Sequence, residues 1–139
     1  MMHKLHNVLV ILALMICAML FYGYYLAFWP VEVFELNSQI TVDKDVYAPG
    51  DVVIYTIDYC KHRDLQAQIG FNLVDTIIIP YAYTETNIPC GCNVIEGFMI
   101  IPTYAPEGTF YFQINSKYNV NFLKEVEYTF KTVEFEIKK

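Results

Sequence analysis

The chain has 139 residues, with 15 Asp and Glu against 9 Lys and Arg, and a formal net charge of −6. All the acidic residues but only eight of the basic ones follow Pro30, so residues 30–139 carry a formal charge of −7. An acidic surface with no Lys/Arg cluster argues against nucleic-acid binding and against flat docking on anionic lipid.

The first element is apolar. Residues Val8 to Trp29 form a 22-residue run with no charged side chain. At about 1.5 Å rise per residue it reaches roughly 33 Å, enough to cross a hydrocarbon core of about 30 Å. It is expected to be an uncleaved transmembrane helix, because no small-x-small cleavage site follows the apolar stretch. Lys4, His3 and His6 precede the run, whereas Glu32 and Glu35 follow it with no Lys or Arg before Lys44. The positive-inside rule then places residues 1–7 in the cytoplasm, residues 8–29 in the membrane and residues 30–139 outside, on the periplasmic or cell-surface side of a bacterium. Tyr22, Tyr24, Tyr25, Phe28 and Trp29 make an interfacial aromatic belt, and Pro30 lacks the amide hydrogen needed to continue the helix. The run holds no ionisable group of the kind an ion path or proton relay needs.

Beyond Pro30 the pattern is β. Asp51–Cys60 puts Val53, Tyr55, Ile57 and Tyr59 on one face, and Gly108–Asn115 alternates Phe110, Phe112 and Ile114 against Thr109, Tyr111 and Gln113. Such period-2 alternation marks half-buried strands. Further strands are expected at Gln39–Asp43, Ala67–Val74, Thr76–Tyr83 and Val94–Ile101, separated by turn signals at residues 48–51, 87–89 and 105–108. In the last segment Val126, Tyr128 and Phe130 share a phase that Val133, Phe135 and Ile137 reverse, which requires a bulge or break near Lys131–Thr132. Seven or so short strands with no helical period suggest a two-sheet sandwich.

The motifs Y-A-P-G-D at 47–51 and A-P-E-G-T-F-Y-F at 105–112 resemble those of immunoglobulin-like and fibronectin type III-like domains, over about residues 33–138. The resemblance implies an all-β fold, a single immunoglobulin-like β-sandwich preceded by one N-terminal transmembrane α-helix. No function follows from it, since the only Trp lies in the apolar run and the Cys…Trp…Cys pattern is absent.

Three cysteines, Cys60, Cys90 and Cys92, follow the apolar run. In an oxidising compartment Cys60 is expected to pair with Cys90 or Cys92, which flank Gly91 in a predicted loop. Closing about 30 residues is worth roughly 3–4 kcal/mol of unfolded-chain entropy, and one thiol is left over. The alternative is a zinc or copper site, or a redox centre, built from Cys60, His62, Cys90 and Cys92. Against it stand the absence of Cys-x-x-Cys spacing and the oxidation of exported thiols. His62 reads as a solvated histidine in the polar turn K-H-R-D.

No catalytic residue is expected, because there is no Gly-x-Ser-x-Gly, His-Glu-x-x-His or phosphate-binding glycine loop. No cofactor is expected either. The reading is a membrane-anchored, non-catalytic module, an accessory or structural subunit of a membrane, envelope or virion assembly. Its partners would be membrane lipid through the helix and another membrane or envelope protein, or a second copy of itself. Tyr81, Tyr83, Tyr104, Tyr111, Tyr118 and Tyr128 exceed what one small core needs and suggest an interface.

Overall fold

A computed structural model describes the backbone from Met2 to Lys139 and the side chains from His6 onward. The chain begins as one helix, α1 (Met2–Phe28), and the rest is strand and turn. The strands are β1 (Phe34–Leu36), β2 (Thr41–Val42), β3 (Val46–Tyr47), β4 (Val52–Lys61), β5 (Ala67–Val74), β6 (Ile78–Thr86), β7 (Gly91–Ile100), β8 (Gly108–Asn121), β9 (Lys124–Lys131) and β10 (Phe135–Ile137). The segment His6–Phe28 has a mean hydropathy of 2.3 and is long and apolar enough to cross a membrane. Its side chains are exposed apart from Gly23, Leu26 and Ala27, which are half-covered where the helix meets the strands.

Two sheets form a β-sandwich. In the first, β7 follows β4 along its full length on one edge, while β1 and β2 divide the other edge between them. In the second, the order is β3-β10-β8-β5-β6, and β9 takes the part of the β8 edge that β10 leaves free. The expected inward positions do face in: Val53 and Tyr59 on β4 and Phe110, Phe112 and Ile114 on β8 are buried.

The phase change in the last segment has a local cause. β9 ends at Lys131 and Thr132 leaves the ladder, its amide donating to the Phe112 carbonyl at 3.0 Å. Its hydroxyl accepts the Phe112 amide at 3.0 Å, and Thr132 also forms a parallel bridge with Ile40, the residue before β2. The chain then resumes as β10 with the opposite parity, so Phe135 and Ile137 point inward. At the turn before β4, Gly50 adopts a φ of 93°, a conformation open to Gly, and the Asp51 side chain accepts the Ala48 amide at 2.9 Å.

Several boundaries differ from the sequence reading. The helix starts well before Val8, β6 starts at Ile78 and continues to Thr86, and β8 continues to Asn121. β7 starts at Gly91, so Cys92 belongs to a strand and not to a loop. The unforeseen β1 and β3 are three and two residues long, too short to show alternation.

Replacing Thr132 with Val keeps the shape but leaves the buried Phe112 amide without its acceptor. The substitution is expected to cost about 1–3 kcal/mol in urea unfolding, and Thr132→Ser should restore most of it.

Candidate functional site

The interior of the sandwich is not uniformly filled. One cluster of buried side chains gathers around Leu73, Ile101, Phe110, Phe112 and Phe135, and a second around Val33, Phe34, Tyr59, Ala67 and Tyr118. Between them the inward residues Tyr55, Ile57, Ile69, Phe71 and Ile95 are only half-buried. They line a cavity of about 410 Å³ whose far wall includes Ile114, Tyr118 and Phe130. That volume falls within the range of about 300–1,000 Å³ typical of small-molecule sites.

The cavity opens where neither sheet has a further strand. Exposed Ala82 and Thr84 of β6 form one lip of its mouth, and the edge of β7 around Gly97 forms the other. At one end the Tyr81 hydroxyl accepts the Ile100 amide at 2.9 Å, joining the two sheets. At the other end lies the loop that carries Ile88. Buried Lys61 holds that loop by donating to the Asn87 side chain and the Ile88 carbonyl, each at 2.9 Å, and Tyr59 donates to the Pro89 carbonyl at 3.2 Å.

Tyr55 shapes the floor. It stands opposite Gly97 in the β4–β7 register, and a Cβ on Gly97 would lie 2.3 Å from the Tyr55 ring. The phenol therefore lies flat on the glycine backbone and reaches toward Phe71 on the other sheet, with ring centroids 6.3 Å apart. Among the described residues, its polar lining is Thr84, Thr86, Ser116 and Glu96, plus the phenols of Tyr55, Tyr81 and Tyr118. Such walls suit an apolar occupant. A shallower groove of about 650 Å³ crosses the outer face of the second sheet past Gln68, Asn72, Lys117 and Glu127. Its polar groups partly satisfy one another, as in the Tyr83–Gln68 hydrogen bond of 2.8 Å.

The cysteines lie outside this cavity. Cys60 and Cys92 stand directly opposite each other on β4 and β7 and are joined in a disulfide. Cys90 is exposed and free, as is Cys17 in the helix. A metal centre using Cys60, His62, Cys90 and Cys92 does not assemble, since two of its thiols are consumed by the bond. His62 is exposed at the end of β4 and lies 3.7 Å from Glu35, with Glu32 close by. The tyrosines singled out from the sequence divide: Tyr118 is core, Tyr81, Tyr111 and Tyr128 are half-buried, and only Tyr83 and Tyr104 stand exposed. Tyr22, Tyr24, Tyr25 and Trp29 are exposed around the end of α1.

A second surface feature escaped the sequence reading. The register sets Val52 opposite Ile100 and Ile54 opposite Phe98, all four exposed on the outer face of the first sheet. Each residue looked unremarkable in its own strand, and only strand pairing makes them a patch.

No protein-family model and no curated protein matches this sequence. Among solved structures, a Niemann-Pick type C2 protein from Japanese carpenter ant shares the fold with a TM-score of 0.54 at 10 % identity, covering 79 % of this chain and 96 % of that one. Spo0M, a sporulation control protein from Bacillus subtilis, overlaps 78 % of this chain and 51 % of its own at 12 % identity, with a TM-score of 0.40. The first likeness supports a β-sandwich and nothing narrower, and the second is too low to bear on the fold.

Burial, helped by the neighbouring Tyr128 and Tyr59, pushes the Tyr118 phenol up to about 12. Burial, then the hydrogen bond to Asp43, does the same to Tyr47. Both phenols hold their protons more tightly folded than unfolded. Their contribution to stability is therefore intact below the ordinary value of 10.0 and is lost as pH rises toward about 12. Burial also raises the phenols of Tyr55 and Tyr59. Alkaline titration followed by phenolate absorbance is expected to show a late-titrating group of tyrosines, from which Tyr47→Phe and Tyr118→Phe each remove one.

Proposed function

We propose that this protein is a membrane-anchored, non-catalytic accessory module whose recognition site is the apolar cleft between its sheets. The observation that carries the reading is the cavity lined by Tyr55, Ile57, Ile69, Phe71 and Ile95, half-buried where a filled sandwich would bury them fully. An apolar molecule or an apolar side chain of a partner would complete that burial at about 25 cal/mol per Å² covered. Ligand bound only to the folded state would stabilise the domain in turn.

In this reading α1 is the anchor and the sandwich faces the extracytoplasmic side. The flanking charges and the Cys60–Cys92 disulfide support that orientation, since disulfides persist in oxidising compartments. The anchor keeps the domain near the bilayer, because the Val33 amide donates to the Tyr128 hydroxyl at 2.9 Å and Phe34 stacks on Tyr59 only a few residues after α1 ends. A second reading, docking of a membrane or envelope protein or of another copy, is favoured by the exposed Val52, Ile54, Phe98 and Ile100 patch, since contiguous exposed apolar surface marks interaction sites.

Photo-crosslinking of the full chain in lipid nanodiscs with an apolar diazirine probe tests the cleft. Label is expected on Ile57, Ile69 and Ile95, and Ile69→Trp, which fills the cavity, should suppress it. Label confined to α1 would end the cleft reading. Labelling at the outer patch, or a mass equal to a hetero- or homo-oligomer, would favour the docking reading.

Orientation is checked with a membrane-impermeant maleimide on intact cells carrying the Cys17→Ala variant. Exposed Cys90 is expected to react without reductant. Reaction only after permeabilisation would place the sandwich in the cytoplasm.

A further inference from the structure

The β8–β9 hairpin ends in a two-residue turn, Phe122-Leu123, between the paired residues Asn121 and Lys124. Two-residue hairpin turns in water favour Asn, Asp and Gly, whose backbones tolerate the required bend and whose side chains tolerate solvent. Here the turn presents the most exposed large apolar side chain among the described residues, Phe122 at 85 %, beside Leu123 at 51 %. Phe122 stands almost clear of the protein, and Leu123 is about half covered.

The turn is fastened to the end of α1. Asn121 donates its side-chain amide to the Leu26 carbonyl at 3.1 Å and accepts the Leu123 amide at 2.8 Å, so one residue shapes the turn and ties it to the helix. Lys124 donates its ammonium to the Trp29 carbonyl. A cation at this point also suits the negative end of the helix dipole. These two contacts set the tip at the level of Leu26 to Trp29, alongside Tyr25 and Phe28. Glu125, next along β9, is paired with Lys117 at 2.6 Å.

We propose that Phe122 and Leu123 form a wedge that enters the interfacial region of the same bilayer leaflet in which α1 ends. The proposal rests on the reading of α1 as a membrane span. Lipid is the occupant argued for, because the apolar tip continues the aromatic band of the helix and is held there by contacts to helix carbonyls. Aromatic and aliphatic side chains at this depth bury their apolar body among headgroups and upper acyl chains, while Lys124 keeps its charge at the surface. The wedge and the helix end give the domain two points of membrane contact. The sandwich then cannot swivel freely about residues 29–33, and the orientation of the cleft relative to the bilayer becomes fixed.

Depth-dependent fluorescence quenching tests the wedge in the full chain. With Trp29→Phe as background, single tryptophans are introduced by Phe122→Trp, by Leu14→Trp in mid-helix and by Phe98→Trp on the outer sheet face. Each variant is reconstituted in phosphatidylcholine vesicles carrying nitroxide quenchers near the headgroup or near the acyl-chain end. The tryptophan at position 122 is expected to emit at shorter wavelength than that at 98 and to be quenched several-fold more by the shallow quencher. The tryptophan at position 14 should respond to the deep quencher. Quenching at 14 without quenching at 122 would overturn the wedge and leave the anchor standing. A blue-shifted but unquenched tryptophan at 122 would mean burial against protein, which also overturns it. No quenching at 14 would overturn the anchor, and the wedge with it.

Discussion

The ten-residue antiparallel register of β4 with β7 is the constraint on which most of this domain depends. Side chains alternate faces along a strand, so a one-residue slip would exchange inside for outside along both strands. The observed register does three things at once. It sets Cys60 opposite Cys92, so the two are bonded across the strands. It lays Tyr55 on Gly97, which gives the cavity its floor. It also gathers Val52, Ile54, Phe98 and Ile100 on the solvent face. A disulfide at one end of the pair locks the register that the other two features require.

The cavity follows from the edges of the two sheets. β6 and β7 are the last strands of their sheets, and beyond them the layers are held together by few direct contacts, such as Tyr81 to the Ile100 amide. Elsewhere the sandwich is closed by large side chains: Phe112 against Phe135 at one end, and Phe34 among Tyr59, Tyr118 and Phe130 at the other. Between these two well-filled ends the inward Ile57, Ile69 and Ile95 are only half-buried. An unfilled middle costs dispersion contacts that a bound apolar group would return.

The helix and the sandwich meet over a small area with a defined chemistry. Helix carbonyls left unpaired at the C-terminus of α1 find donors on the hairpin, Asn121 for Leu26 and Lys124 for Trp29. Val33 and Phe34 are then drawn into the second core cluster, so the chain between helix and sheet has almost no slack. The packing of the domain and the angle at which α1 meets it are therefore linked through residues 26–34.

Much of the architecture was legible in the sequence, because periodicity is a local property. The apolar run, β4, β5 and the inward phenylalanines of β8 could be read residue by residue, and so could the phase break that falls at Thr132. The choice of Cys92 over Cys90 was not legible: both are one residue from Gly91, and only the strand that begins at Gly91 sets Cys92 opposite Cys60. The cleft was equally hidden, since Ile57, Ile69 and Ile95 show the same alternation whether or not their side chains meet across the sheets. The sequence by itself determined the layers and their faces, because burial acts on each side chain according to its position in its own strand. Tertiary structure alone decided the disulfide, the cavity and the seat of the Phe122-Leu123 turn beside α1, because each depends on distances between segments far apart in the chain.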